Sequence, residues 1–410
     1  MNNPKLRPVE AFPIESSGKR MICLRDPLNF TDNILTVSPN IFFILSHFDG
    51  QHTLLDIQSE YMRKFGELLF TERIVEIIDQ MDTNFFMDSD RFNEFKDNLE
   101  GEFRRSKIRK AAHAGKSYDS DPRVLKKQIE GFFIAPEGHG LPSSLKTETG
   151  LTLKGAIAPH IDLREGGSCF AWAYKEIAEH SDADTFIVFG TAHREMKNLF
   201  SFTGKDFETP FGTLETDREF LEIFDRNYGY DLLDDEFVHR SEHTIEFQLI
   251  FLQYLFHENR DIKIVPILCG SFHEMILKGI PPSEVGQMAD FIKAFRAAVS
   301  ESKRKICMIA SADLAHIGPR YGDQYIPTPG TEREVKEDDL EMLKCAEEVD
   351  KDGFFHSIRE VGDKRRICGL PPIYTMMSVM DASKGELLKY SAAKVDNQNS
   401  FVSFAAMVFY

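Results

Sequence analysis

Several apolar runs in this chain end directly on polar, chemically active residues, and that feature constrains the fold most. Gly155–Pro159 (GAIAP) runs into His160, Thr185–Gly190 (TFIVFG) into Thr191, Ala192 and His193, and Lys305–Ala310 (KICMIA) into Ser311, Asp313 and His316. Short continuous apolar runs of this kind read as buried strands. Helical spacing lies between and after them, over 167–179, 242–256, 334–348, 351–360 and 371–382, with further strands near 262–269, 387–393 and 401–409. Ser241 and Ser283 stand where they would cap two of the helices. The alternation predicts an α/β fold, a central mixed sheet flanked by helices. In open α/β sheets, ligands sit at the carboxyl ends of the strands. A single strand-end histidine is ordinarily a hydrogen-bonded structural residue; three in register predict a shared rim.

A chain of 410 residues exceeds one ordinary core, so two domains are expected. The basic run Arg104–Ala112 (RRSKIRKAA) marks the boundary, giving a module over 1–105 and an α/β domain over 106–410. The formal charge of -17 argues against binding to nucleic acid or to anionic lipid. Six scattered cysteines without a CxxC pair argue against a zinc ribbon, an iron–sulfur cluster or a disulfide framework, and fit reduced thiols. The first residues lack an apolar core of signal-peptide length, and no run approaches the roughly 20 apolar residues of a membrane helix. A cytoplasmic protein is expected.

The first hundred residues read as helices. Ile41–Phe48 is apolar; Thr53 can cap a helix carrying Leu54, Ile57, Tyr61 and Phe65, ended by Gly66; Thr71 can cap a third with Ile74, Ile77 and Met81. Asn84–Met87 is a strand candidate, followed by a helix from Phe92. Helices followed by a small β wing suggest a winged-helix-like module. The segment FDGQHTLLDIQSEYMRKFG resembles the PqqD-like small domains, a likeness over roughly 30–95 that implies binding of a peptide substrate or a partner enzyme. A plain helical adaptor fits the same pattern.

On the helix after Ser241, His243 and Glu246 lie three apart and share a face. They read either as a charged first turn, where Glu246 suits the helix dipole, or as a pair turned toward the rim. Cys368 lies in RRICGLPPI, where Gly369 frees the backbone and two prolines make the turn rigid. Spacing alone does not separate it from an inert packing cysteine.

The ordered set AAHAGKSY (111–118), AIAPHIDL (156–163), FGTAHR (189–194), TPFGTLETD (209–217), SEHTIEFQL (241–249), VPILCG (265–270), SADLAHIG (311–318) and ICGLPPI (367–373) resembles the MEMO family, which includes the second component of the AmmeMemoRadiSam system. The resemblance implies a fold similar to class III extradiol dioxygenases. It places His160, His193 and Cys368 at metal-ligand positions, Asp313 and His316 at neighbouring acid/base positions, and His243 and Glu246 along the same pocket. Two imidazoles and a thiolate suit iron(II) first, with copper or zinc as alternatives. His316 would move a proton, oriented by Asp313. Arg194 stands where some relatives carry a second histidine, and the family's cysteine replaces a dioxygenase carboxylate, so activity does not follow from fold.

Two function classes fit these residues. One is a metal-dependent oxidoreductase, dioxygenase-like, acting on a small or peptidic substrate with a radical-SAM partner. The other is a non-catalytic peptide-binding or adaptor protein using the same pocket. A hydrolase fits less well, as the chain has no HExxH, GxSxG or Walker-type glycine run.

Overall fold

The computed structural model describes residues 2–16, 18–143, 152–257 and 259–410. The chain divides into two compact units, Met1–Arg105 and Ser106–Tyr410.

The first unit opens with antiparallel strands β1 (Glu10–Ser16), β2 (Lys19–Arg25) and β3 (Ile34–Val37). Helices α1 (Pro39–Leu45), α2 (Leu54–Phe65), α3 (Thr71–Thr83) and α4 (Asp90–Arg105) follow. Its sheet thus precedes the helices, the reverse of the order read from the sequence. Asn84–Met87 yields only an isolated bridge from Met87 to Leu6. Phe85 adopts a left-handed backbone, φ 64°, which breaks the extended run before pairing can propagate. Thr53 caps α2 in a reciprocal box with Asp56, and Gly66 ends it. Thr71 does not cap α3; it is the first helical residue, and Phe70 holds the cap position without a side-chain bond. Leu24, Ile44, Ile57, Ile74 and Phe86 form the core.

The second unit begins with β4 (Ile108–Arg109), α5 (Pro122–Ile134), β5 (Gly155–Ala158), α6 (Leu163–His180), β6 (Thr185–Thr191), β7 (Phe200–Phe202), β8 (Asp206–Thr209) and β9 (Gly212–Thr216). It continues through α7 (Arg218–Asn227), α8 (His243–Phe256), β10 (Lys263–Cys269), α9 (His273–Lys278), α10 (Gly286–Ser302), β11 (Ile306–Ser311) and β12 (Asp313–Ile317). It closes with α11 (Pro329–Glu347), α12 (Lys351–Glu360), α13 (Leu370–Val379), β13 (Gly385–Lys394) and β14 (Phe401–Phe409).

Its strands form one large mixed sheet in the order β12-β14-β5-β11-β6-β10-β9-β8-β4, with β13 on β14 and β7 on β10. Strands β5, β11, β6 and β10 are mutually parallel, so their carboxyl ends share one edge. Ser311 is level with both Ala158 and Gly190. Side chains alternate across the sheet. Ile187 and Phe189 belong to the core shared with Phe220, Phe291 and Ile373 of α7, α10 and α13. Phe186 and Val188 belong to the core shared with Phe133, Phe170 and Leu249 of α5, α6 and α8. Covered on both faces, these strands read as apolar runs rather than alternating ones.

Two caps differ from expectation. Glu242, not Ser241, caps α8, its carboxylate accepting from the amides of His243 and Thr244. Ser283 lies in a short 3-10 turn, and α10 starts after Val285. Among the described residues, no helix is long and apolar enough to cross a membrane.

Candidate metal centre

His160 stands two residues beyond β5, and His193 two beyond β6. His243, the first residue of α8, comes from the helix side. Gly190 permits that approach: a Cβ there would stand 2.5 Å from Oγ1 of Thr244, so a larger residue would push the start of α8 off the sheet edge. The ring centroids of His160 and His193 are 5.1 Å apart, and those of His160 and His243 5.6 Å. His193 and His243 stack at 5.0 Å and 13°. One donor nitrogen from each of the three lies within 4.8 Å of the others.

Hydrogen bonds set the tautomers. Nδ1 of His160 lies 3.0 Å from the carbonyl oxygen of Ser311, which can only accept, so Nδ1 carries the proton and Nε2 keeps its lone pair. Glu242 engages Nδ1 of the other two rings. Its Oε1 lies 3.1 Å from Nδ1 of His193 and 3.0 Å from Nδ1 of His243. Its Oε2 accepts from the backbone N–H of His193 at 2.9 Å. One buried carboxylate therefore fixes two imidazoles and a helix start. Burial would raise its pKa, but the cationic His193 and its donated hydrogen bonds outweigh that and hold it well below the usual carboxylate range. For His193, burial opposes the charged form, yet Glu242 and Cys368 raise its pKa well above the ordinary imidazole value. His160 goes the other way, held neutral by burial and by the charges of His193 and His243.

Cys368 completes the cluster, with Sγ 3.2 Å from Nε2 of His160. It is also hydrogen-bonded to His193, which offsets part of the upward push that burial gives its thiol. Its placement depends on Gly369, whose N–H donates to the Asp313 carbonyl at 2.9 Å. A Cβ at Gly369 would stand 2.5 Å from that oxygen. Thr191 Oγ1 donates to the Cys368 carbonyl at 3.0 Å, tying this turn to the end of β6.

Asp313 lies against His160, with Oδ1 accepting from the amides of His160 and Ile161 at 2.9 and 3.2 Å and Oδ2 3.6 Å from Nε2 of His160. Burial, partly offset by those amides, pushes its pKa up to about 6. A bulge in β12 sets three residues against two of β14, so Asp313 and His316 keep the same face. They do not form the expected pair. His316 is oriented instead by the carbonyls of Leu314 and Arg366, both 3.1 Å from its Nδ1. Burial lowers its pKa to about 4.

Glu246 does not line the cluster. It is fully buried in an ion pair with Arg109 and accepts hydrogen bonds from the Tyr118 hydroxyl and from the amides of Ala112 and His113. It shares a face with His243, but those partners take its carboxylate. The carboxylate that serves the site, Glu242, escaped the sequence reading, because serine at 241 is the more familiar cap.

His193 and Cys368 face a cavity of about 330 Å³ walled by Phe272, Leu370 and Pro371. His193 also borders a larger one of about 710 Å³ that includes Arg194 and His273. The cluster is therefore reachable past His193. The three imidazoles form one donor group suited to a metal ion, and the thiol of Cys368 adjoins it at His160, outside the set whose donor atoms all lie within 4.8 Å of one another.

Residues 109–408 match the family of Memo-like proteins. A MEMO1 family protein of Aquifex aeolicus is 28% identical over 413 aligned residues, covering 99% of this chain and 100% of the relative. One of Methanopyrus kandleri is 31% identical, covering 73% of this chain and 98% of the relative. One of Thermococcus onnurineus is 29% identical, covering 74% and 99%.

Proposed function

The chain belongs to the Memo-like protein family, and on that premise we propose that its second unit holds one metal ion for redox or oxygen chemistry on a small or peptidic substrate. The observation that carries this reading is the Glu242 carboxylate shared by His193 and His243, with His160 and Cys368 beside them. A carboxylate behind a ligating histidine fixes the ring and raises its basicity. Iron(II) is the preferred metal, with copper and zinc as the alternatives the donor set accepts. When bound, such an ion supplies Lewis acidity and, for iron or copper, electrons.

The chain's own groups would then do the rest. The Ser311 carbonyl and Glu242 engage Nδ1 of all three rings, so Nε2 of each is the donor it would offer, that of His193 once its second proton is given up. Asp313, at about 6, holds or releases a proton at Oδ2 beside His160 close to neutral pH. His316, at about 4, is neutral at pH 7 and takes up a proton at Nε2, since its Nδ1–H is donated to carbonyls. The likeness of the family to class III extradiol dioxygenases supports oxygen chemistry, while the thiol of Cys368 argues for a different reaction within it.

The test is anaerobic purification followed by metal analysis. One ion per chain is expected at this cluster, so His193→Ala/His243→Ala should hold one fewer ion per chain than the native protein. Equal metal content in the native protein and this variant after iron, copper and zinc reconstitution would overturn the reading.

A second reading is an adaptor, favoured by the compact first unit that stands outside the family match at 109–408. In it the first unit, PqqD-like, docks a cytoplasmic radical-SAM partner and the pocket holds a peptide. Capture of that enzyme by the full chain but not by residues 106–410 would support it; equal capture would not.

A further inference from the structure

A second group of ligand-type side chains lies at the opposite edge of the sheet, on the last turn of α6. The carbonyl of His180 accepts from the amide of Leu153, just before β5, so this helix end sits at the amino edge of the strands. Glu176, Glu179 and His180 each offer one donor atom, all within 4.8 Å of one another. Nδ1 of His180 is 2.9 Å from Oε2 of Glu176. His139 approaches from outside the helix, with Nε2 3.5 Å from Oε1 of Glu176. All four residues are half-buried.

His139 is held in place from both sides. Its ring stacks on Trp172 at 3.8 Å and 19°. Its carbonyl accepts from Nζ of Lys175 at 2.8 Å, while Nε1 of Trp172 donates to the carbonyl of Glu137 at 2.8 Å. Glu179 Oε1 accepts from the Ser143 amide at 2.7 Å and Glu176 Oε2 from the Tyr410 hydroxyl at 3.4 Å, donors that bring no charge. Two carboxylates in the last turn oppose the dipole of an 18-residue helix, whose carboxyl end favours cations. Lys175, on the same helix, is engaged with the His139 carbonyl, and Arg260 reaches the helix end through the carbonyl of Ser181.

We propose that His139, Glu176, Glu179 and His180 form a divalent-cation site that takes zinc. Two imidazoles and two carboxylates are a zinc-type donor set. Donors bonded at about 2.0–2.1 Å in tetrahedral geometry lie about 3.3–3.4 Å from one another. The separation of His139 Nε2 and Glu176 Oε1 is 3.5 Å and that of His180 Nδ1 and Glu176 Oε2 2.9 Å, so the two rings lie on different oxygens of Glu176, which turns on binding to offer one of them. The site is independent of the histidine–cysteine cluster and does not rest on its function. Its rival is a set of protonated histidines that neutralise the two carboxylates without any metal.

Trp172 makes the test direct, because it is the only tryptophan in the sequence. Full-length protein stripped with chelator is titrated with zinc chloride at neutral pH, following tryptophan emission, and bound zinc is counted after desalting. The expected result is a saturable change in emission. It should persist in His160→Ala/His193→Ala and vanish in Glu176→Gln, which should also hold one fewer zinc ion per chain. Circular dichroism checks the fold of each variant, and Glu179→Gln replaces Glu176→Gln if the latter does not fold. Emission that is insensitive to zinc, or an equal response in the folded glutamine variant, would overturn the proposal in favour of the protonated histidines.

Discussion

Oε1 of Glu242 lies 3.1 Å from Nδ1 of His193, and this contact orders the histidine–cysteine cluster. The same carboxylate caps α8 and holds His243, so ring orientation and helix position are set by one group. Helix α8 reaches the sheet edge only because Gly190 leaves room for Thr244.

Replacing Glu242 with Gln should separate these two duties. The one amide oxygen can still accept from the N–H groups of His243 and Thr244, so the helix start should persist, while the bond from the His193 N–H is lost. The loss of the carboxylate behind two imidazoles should lower metal affinity about 10–100-fold. Competition titration against a chromophoric chelator, with thermal unfolding as the control, measures both.

Cys368→Ser keeps the turn, since Gly369 still meets the Asp313 carbonyl. The copper- or cobalt-loaded protein should lose its thiolate-to-metal absorption band while retaining an ion bound by the three histidines. An unchanged spectrum would place the sulfur outside the coordination sphere.

Glu246→Gln should act on stability alone. Both partners of the Arg109–Glu246 pair are fully buried, and the substitution leaves the guanidinium without its countercharge. A loss of about 3–5 kcal/mol is expected in chemical denaturation. Metal stoichiometry should be unchanged, in contrast to Glu242→Gln.

His239 gives a pH dependence away from the cluster. It is buried with its ring bonded to the Ser201 carbonyl, and burial lowers its pKa to about 3. Between about 6.5 and 3 the unfolded chain binds a proton that the folded chain refuses, so stability falls as pH drops through this window. From pH 7 to 5 its share of the loss is about 2 kcal/mol. His239→Gln should remove that share, which denaturant unfolding at the two pH values reads as a smaller difference than in the unsubstituted protein.

Much of the second unit was legible because its strands are buried on both faces. GAIA, TFIVFGT and ICMIAS are apolar but for a threonine or serine at their ends, and the residues after them had to emerge at one edge. His160 and His193 could be read from that pattern. Cys368 could not: it reaches His160 across 208 residues of sequence, and only the family likeness singled it out. Glu246 was misread because helical spacing reports which residues share a face, not which partner waits there. Its partner Arg109 lies 137 residues away. In the first unit the strands went unread, since Glu10–Ser16 is mostly exposed and interrupted by Pro13, and the four apolar residues Met21–Leu24 of Lys19–Arg25 are flanked by charges.

Strand β14 is wedged between β5 and β12, although it follows both in the chain. The edge that brings Asp313 beside His160 is therefore incomplete until residues 401–409 have been threaded into place. A nascent chain carries the separate imidazoles early but cannot assemble the finished pocket. On the proposed reading, ion capture would be a late event in biogenesis, one that a stalled or clipped polypeptide would never reach.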